Sequence, residues 1–214
     1  NAQTTATATN LCAWSYIVSV IDNNGCNSSA NITINEPSIL SASINSSDVS
    51  CNGLCDGSAT VTANGGTPGY TYLWDDPNTQ TTATASNLCA GVFTVTITDN
   101  NGCTQTSSVT INEPSILSTS IVGSDVSCFN SCDGSSTVTA SGGSPGYSYL
   151  WNDPNAQTTA TATNLCAGTF NVTISDNNGC TQTLTTTINE PTLLTNSISS
   201  NDGSCNNSCD GTAT

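Results

Sequence analysis

The chain has no lysine, no arginine, no histidine and no methionine. Without a cationic side chain it cannot neutralise phosphates, so nucleic acid and anionic membrane surfaces are not expected partners. Side-chain salt bridges and Lys–Asn isopeptide cross-links are excluded with them. So is a nucleophile activated by His or Lys, and every cysteine has a structural use open to it, so no catalytic residues are expected. Charged residues are scarce at 7%, all 15 are acidic, and the formal net charge is −15. Leu, Ile, Val and Phe together supply 38 of 214 residues, about 18%, a level that alone would point to disorder. No apolar run is long enough to cross a bilayer, so direct membrane insertion is not expected. There is neither an initiator Met nor a signal peptide, and Asn1 is read as a processed or truncated end.

What is present overrides the compositional hint of disorder. In Leu88–Cys103, Phe93, Val95 and Ile97 alternate with Thr94, Thr96 and Thr98. A period of two is a strand with one buried and one wet face. Asp99-Asn100-Asn101-Gly102 comes next, with residues that tolerate positive φ and so suit a tight hairpin turn. Twelve cysteines recur in register. Even, patterned cysteine in a Thr/Ser/Asn-rich chain argues for an oxidising, extracellular setting. A zinc site is the weaker explanation, because Cys-x3-Cys and Cys-x13-Cys lack ribbon spacing and no His is available.

The period is 77 residues: Cys12, Cys89 and Cys166 obey it, as do Cys26, Cys103 and Cys180, and Pro37, Pro114 and Pro191. A long period without insertions indicates a tandem array. Asn-Glu-Pro forms the natural seam and reads as a short stiff linker, since proline donates no ladder bond and extends the residue before it. Two whole modules then span 37–113 and 114–190, preceded by the back part of a module (1–36) and followed by the front part of another (191–214).

Within 37–113 the expected strands are Leu40–Ile44, Gly57–Ala63, Tyr70–Trp74, Thr81–Ser86, Val92–Thr98 and Ser107–Ile111, with no helix. Short strands at this spacing, broken by Gly/Pro/Asn turns, predict an all-β fold of immunoglobulin-like sandwiches with Trp74 as core filler. A module of this size is close to the limit at which one core suffices, so cross-links matter.

Other chemistry is weakly supported. The carboxylate pair Asp75-Asp76 sits in a turn and reads as solvated rather than hydrolytic. Calcium is conceivable at Asp22-Asn23-Asn24 and Asp99-Asn100-Asn101, with Glu113 and Asp125 near the seams, but the DNNG turn explains itself without metal. No cofactor is expected. Candidate glycosylation acceptors are Asn27, Asn31, Asn45, Asn171 and Asn206, which do not recur at equivalent repeat positions. Tyr70, Tyr72 and Trp74, with Tyr147, Tyr149 and Trp151, could stack on glycan rings if exposed, though their alternation favours core packing.

The combination SC-x3-CDGSATVTANGGTPGYTYLW, NLCAGVFTVTITDNNGC and INEP closely resembles the SprB repeat of Bacteroidetes gliding adhesins and related secreted proteins. The resemblance covers essentially the whole chain. It implies tandem β-sandwich modules, export to the cell surface and no catalytic residues. It departs at Trp14, where the pattern and the later copies (Gly91, Gly168) have glycine.

Four cysteines per module allow three connectivities. Repeats of this kind that lack the CDG cysteine tend also to carry LAAG for LCAG. The resemblance therefore implies Cys55–Cys89 and Cys132–Cys166, leaving Cys51–Cys103 and Cys128–Cys180. The alternative is local closure, Cys51–Cys55 and Cys89–Cys103, the second of which a whole strand makes hard to reach.

Cys12, Cys26, Cys205 and Cys209 lack partners inside their own segments and are candidate intersubunit or inter-segment disulfides. The chain is read either as cut from a longer array or as a subunit whose tail completes the head of the next copy. In the first copy Ile17 and Ile21 replace Thr94 and Thr98 and Trp14 replaces Gly91, which marks a candidate assembly contact. The expected partners are thus the same repeat or a second copy, with glycans as the alternative.

Overall fold

A computed structural model describes residues 3–214; Asn1 and Ala2, on which the reading of a processed end falls, lie outside the described residues. The described chain is all strand and turn. It divides into two compact units, one of Asn1–Asp48 with Cys55–Asn112 and one of Val49–Leu54 with Glu113–Thr214.

In the first unit, β1 (Trp14–Ile21) and β2 (Asn27–Ile34) form a hairpin. Six strands come after it: β3 (Ser41–Ser47), β4 (Gly57–Asn64), β5 (Thr71–Trp74), β6 (Thr84–Leu88), β7 (Gly91–Thr98) and β8 (Thr104–Ile111). They make two antiparallel sheets, β3-β4-β6 and β5-β7-β8. If the strands are lettered A, B, C, E, F and G, the sheets are ABE and CFG, the immunoglobulin partition without strand D. Between them Val61, Trp74, Ala85, Leu88, Val95, Ile97 and Ile111 are buried. Trp74 on the third of these strands holds the place of the central immunoglobulin Trp, and its indole N–H donates to the carbonyl of Thr82 at 3.0 Å.

The second unit repeats the plan with β9 (Ser118–Ser124), β10 (Gly134–Ser141), β11 (Ser148–Trp151), β12 (Thr161–Leu165), β13 (Gly168–Ser175) and β14 (Thr181–Ile188). The sheets are β9-β10-β12 and β11-β13-β14. One cluster joins both layers: Val126, Val138, Trp151, Ala162, Leu165, Val172, Ile174 and Ile188, with Ile121 and Phe170 packed against it. The unit ends with β15 (Ser200–Asn201) paired to β16 (Thr212–Ala213).

Glycine is required where the layers close. A Cβ on Gly57 would sit 2.8 Å from Ile111 and 2.9 Å from the carbonyl of Leu88, and Gly134 has the same neighbours in Ile188 and Leu165. That is the structural use of the CDG motif's glycine.

Three strands differ from the sequence reading by three residues at one end, and the first of them, expected at Leu40–Ile44, runs from Ser41 to Ser47. The strand expected at Thr81–Ser86 runs from Thr84 to Leu88. The Gln80 side chain holds residues 75–83 as a loop, bonding Asp76 on one side and the backbone of Ser86 on the other. The strand expected from Ser107 begins at Thr104. The bond from Asp99 N to the carbonyl of Cys103 closes the turn tightly enough for pairing to start at once.

Candidate functional site

Three disulfides are formed. Cys55 bonds Cys89 and Cys132 bonds Cys166, each 34 residues apart in sequence. The third joins Cys51 to Cys180 across 129 residues, with the Cα atoms 5.7 Å apart. The expected Cys51–Cys103 and Cys128–Cys180 bonds are therefore not the ones formed, and local closure is absent too. Both of those pairings place closure inside one 77-residue repeat. Instead the stretch Val49–Leu54 belongs to the second unit. There the side-chain amide of Asn178 donates to the carbonyl of Ser50 at 3.0 Å, beside the Cys51–Cys180 bond. Six cysteines remain as exposed thiols: Cys12, Cys26, Cys103, Cys128, Cys205 and Cys209.

The Asn-Glu-Pro seam is anchored rather than a bare linker. Asp48 accepts from the backbone and side-chain amides of Asn112, and Asp125 does the same for Asn189. Glu113 accepts from Gly53 N at 2.8 Å, and Glu190 from Asn130 N at 2.9 Å. The side-chain amide of Asn52 also donates to the carbonyl of Pro114. Sequence reasoning missed this latch. The recurrence of Asp48, Asp125 and Asp202 at the repeat period was visible, but nothing near them in sequence names their partners.

The acidic side chains offered for calcium have internal uses. Asp99 accepts from the backbone N–H groups of Thr67, Asn101 and Cys103. The Thr67 amide foremost, with the other two amides, holds its carboxyl below the usual carboxylate range against the opposing effect of burial. Asp176 repeats the arrangement with Ser144, Asn178 and Cys180 and is lowered chiefly by the Ser144 amide. Asp22 accepts from Asn24 N and Cys26 N in the head hairpin. Asp133, from the CDG motif, is drawn down to about 2, first by the Ser127 hydroxyl, then by the Ser127 amide and the Ser131 hydroxyl. Among the described residues no group of three or more His, Cys, Asp or Glu side chains is placed to hold a metal ion.

Asp75 and Asp76 do not act as a pair. Asp76 is buried and accepts from Asn78 N, Gln80 N and the Gln80 side chain. Its burial opposes ionisation, and the three bonds together outweigh it. Asp75 points elsewhere, accepting from Thr94 N. The aromatic rows are equally engaged: Trp74 and Trp151 are core, while the Tyr70 and Tyr147 hydroxyls donate to the carbonyls of Gly65 and Gly142. Asn27, Asn31, Asn45, Asn171 and Asn206 all lie exposed. No helix among the described residues is long and apolar enough to cross a membrane.

The head hairpin leaves apolar side chains uncovered. Trp14, Ile17 and Ile21 are exposed, and so are Val18 at 55% and Val20 at 65%. Their counterparts Val95 and Ile97 are at 0%. The tail shows the same contrast, with Leu194 at 94% against 8% for its counterpart Leu117.

The SprB repeat family matches the chain at residues 43–79 and 120–156, from the first strand of each complete sandwich through its Trp-bearing third strand. No curated protein matches. Among solved structures, the amphioxus IgVJ-C2 molecule is 14% identical, with 72% of this chain and 98% of that one covered and a TM-score of 0.29. A tetra-tandem repeat from the extending region of a large adhesion protein is 15% identical, with 84% and 58% covered and a TM-score of 0.25. Likenesses this distant carry no argument about function.

Proposed function

We propose, from the match of the SprB repeat family at residues 43–79 and 120–156, that the chain is a structural repeat segment of a secreted or cell-surface adhesin or fibre. Its work is mechanical: disulfide-stapled sandwiches form a rod that presents an adhesive tip or builds a filament, with no catalytic centre. The Cys51–Cys180 bond carries this reading, since it ties a cysteine of one repeat to a cysteine of the next. A force applied along the chain is then shared by a covalent loop of 129 residues rather than by the backbone between two cores alone. Disulfides of this sort persist outside the reducing cytosol, which supports an extracellular setting. The turn carboxylates are occupied by backbone amides, which supports a framework that needs neither cofactor nor metal.

Electron microscopy of the native material tests this. An unbranched fibre with an axial repeat of two or three sandwiches is expected, and compact isolated particles would overturn it. The alternative, modules that bind polysaccharide themselves, is tested on a glycan array, where no retention is expected. Binding that disappears with Tyr72→Ala would favour that alternative.

A further inference from the structure

Tension reaches a folded unit through the residues at which the chain enters and leaves it. The first sandwich is entered at the start of β3, beside the loop after β4, where Gly66 N donates to the carbonyl of Ser38 at 2.7 Å. It is left from β8 at the opposite pole. There Gly57 lies against Ile111 and the carbonyl of Ser47, and Asn112 bonds Asp48 just past the end of β3. β3 and β8 are thus parallel outer strands that face each other across the layers. A pull on the two ends of the sandwich slides one along the other. The second sandwich repeats the plan in β9 and β14, with Gly143 N on the carbonyl of Ser115 at one pole and Asn189 on Asp125 at the other.

We propose that the Cys51–Cys180 bond makes the chain a strain limiter: tension runs along β3, through the disulfide and along β14, and passes around both cores. Cys51 closely follows the end of β3, and Cys180 immediately precedes Thr181, the first residue of β14. All the strands from β4 to β13 lie between those two cysteines in sequence, off the loaded path. Sliding of β3 on β8 needs load on β8, which the bond bypasses. The two strands that do carry load are already extended at close to the ~3.3 Å per residue of a strand, so neither has much length to give. This rests on the mechanical reading above and adds to it which strands bear the load and which residues are spared.

The length withheld is large. The cysteines are 129 residues apart in sequence, and at ~3.4 Å per residue that is roughly 440 Å of chain that tension cannot release. The 34-residue staples are nested inside this loop and each hides only part of its own sandwich. Without the long bond, the hydrogen bonds of Asp48 with Asn112 and of Asp125 with Asn189 would be the ties at the exits that resist sliding.

The choice of partner matters to this role. A bond from Cys51 to Cys103 would route tension through β3 and β8, spare the first core and leave the second in shear. Closure of Cys51 on Cys55 would spare neither. The bond to Cys180 bypasses both cores at once, and the docking of Val49–Leu54 through Asn178, Glu113 and Pro114 brings Cys51 to the start of β14.

Single-molecule pulling tests this on the full chain, held through tags at its two ends with its disulfides formed. Release from residues before β3 and after β14 is common to every variant and serves as the reference. The native chain should show no release of sandwich length, and Cys51→Ser should add two steps, one per sandwich. Its final extension should exceed the native one by roughly 200 Å, the length at ~3.4 Å per residue of the stretches 51–55, 89–132 and 166–180 that the remaining staples leave free. Asp125→Ala should lower the force of one step in the Cys51→Ser background and leave the native curve unchanged. A sandwich-sized release from the native chain would overturn the proposal, however well Cys51→Ser folds. Equal final extensions of the two chains would overturn it as well. Either result leaves the fibre reading to electron microscopy, and an absence of fibres would not alter the pulling curves.

Discussion

Asp99 and Asp176 show how single residues stabilise a protein that has no side-chain cation. Each carboxylate replaces a salt bridge with a ring of backbone donors, and each sits where the turn after the central strand meets the Gly-Gly loop. The carboxyls of Asp76, Asp99, Asp133, Asp153 and Asp176 are all lower in the folded chain than the ordinary 3.8. Between the folded and unfolded values the unfolded chain therefore binds more protons. Their stabilisation is fully present above about pH 4 and is lost as pH falls through the folded values. With no histidine in the chain, there is no imidazole to titrate near neutral pH. Denaturant midpoints should be flat from about pH 5 to 7.5 and fall below about pH 4; greater stability at pH 3 than at pH 6 would contradict this. Asp99→Asn turns an amide toward the donating Thr67 N–H, so it should lower the melting temperature and make the acid limb shallower. Gly65→Ala should cost at least about 1 kcal/mol, because φ is +75° there and a Cβ would collide with the carbonyl of Ile39.

At the scale of the element, one strand appears in three copies with different surroundings. In β7 and β13 the alternating apolar residues are covered by the opposite sheet, whereas in β1 the same positions face solvent. Ile97→Ala should cost about 2–5 kcal/mol in a denaturation curve. Val20→Ala, its counterpart in β1, should change monomer stability by no more than about 0.5 kcal/mol. A large loss at Val20 in the monomer would mean that the hairpin already has a covering partner. These strands and their turns were legible in the sequence because alternation and the DNNG turn are local signals. The limits of β6 and β8 were less so. One depends on the Gln80 side chain reaching Ser86, and the other on a turn bond that sets where pairing resumes.

Over the whole molecule, the repeat length, the sandwich and its Trp core are consequences of periodicity, but the framework of cross-links is so only in part. The 34-residue bonds lie inside one repeat. The 129-residue bond was hidden because a 77-residue period does not say which copy supplies a partner. Its determinant is the docking of Val49–Leu54 through Asn178, Gly53–Glu113 and Asn52–Pro114. Loss of the Cys55–Cys89 bond in Cys89→Ser should cost about 2–4 kcal/mol, seen as a lowered denaturation midpoint.

One covalent staple, Cys51–Cys180, runs from one repeat to the next, and non-reducing peptide mapping of the chain as isolated is the decisive check. A linked peptide containing Cys51 and Cys180 is expected, with Cys103 recovered as a thiol in the monomer and Cys180 as the one newly alkylatable cysteine in Cys51→Ser. A peptide joining Cys51 to Cys103 would contradict the inter-repeat staple.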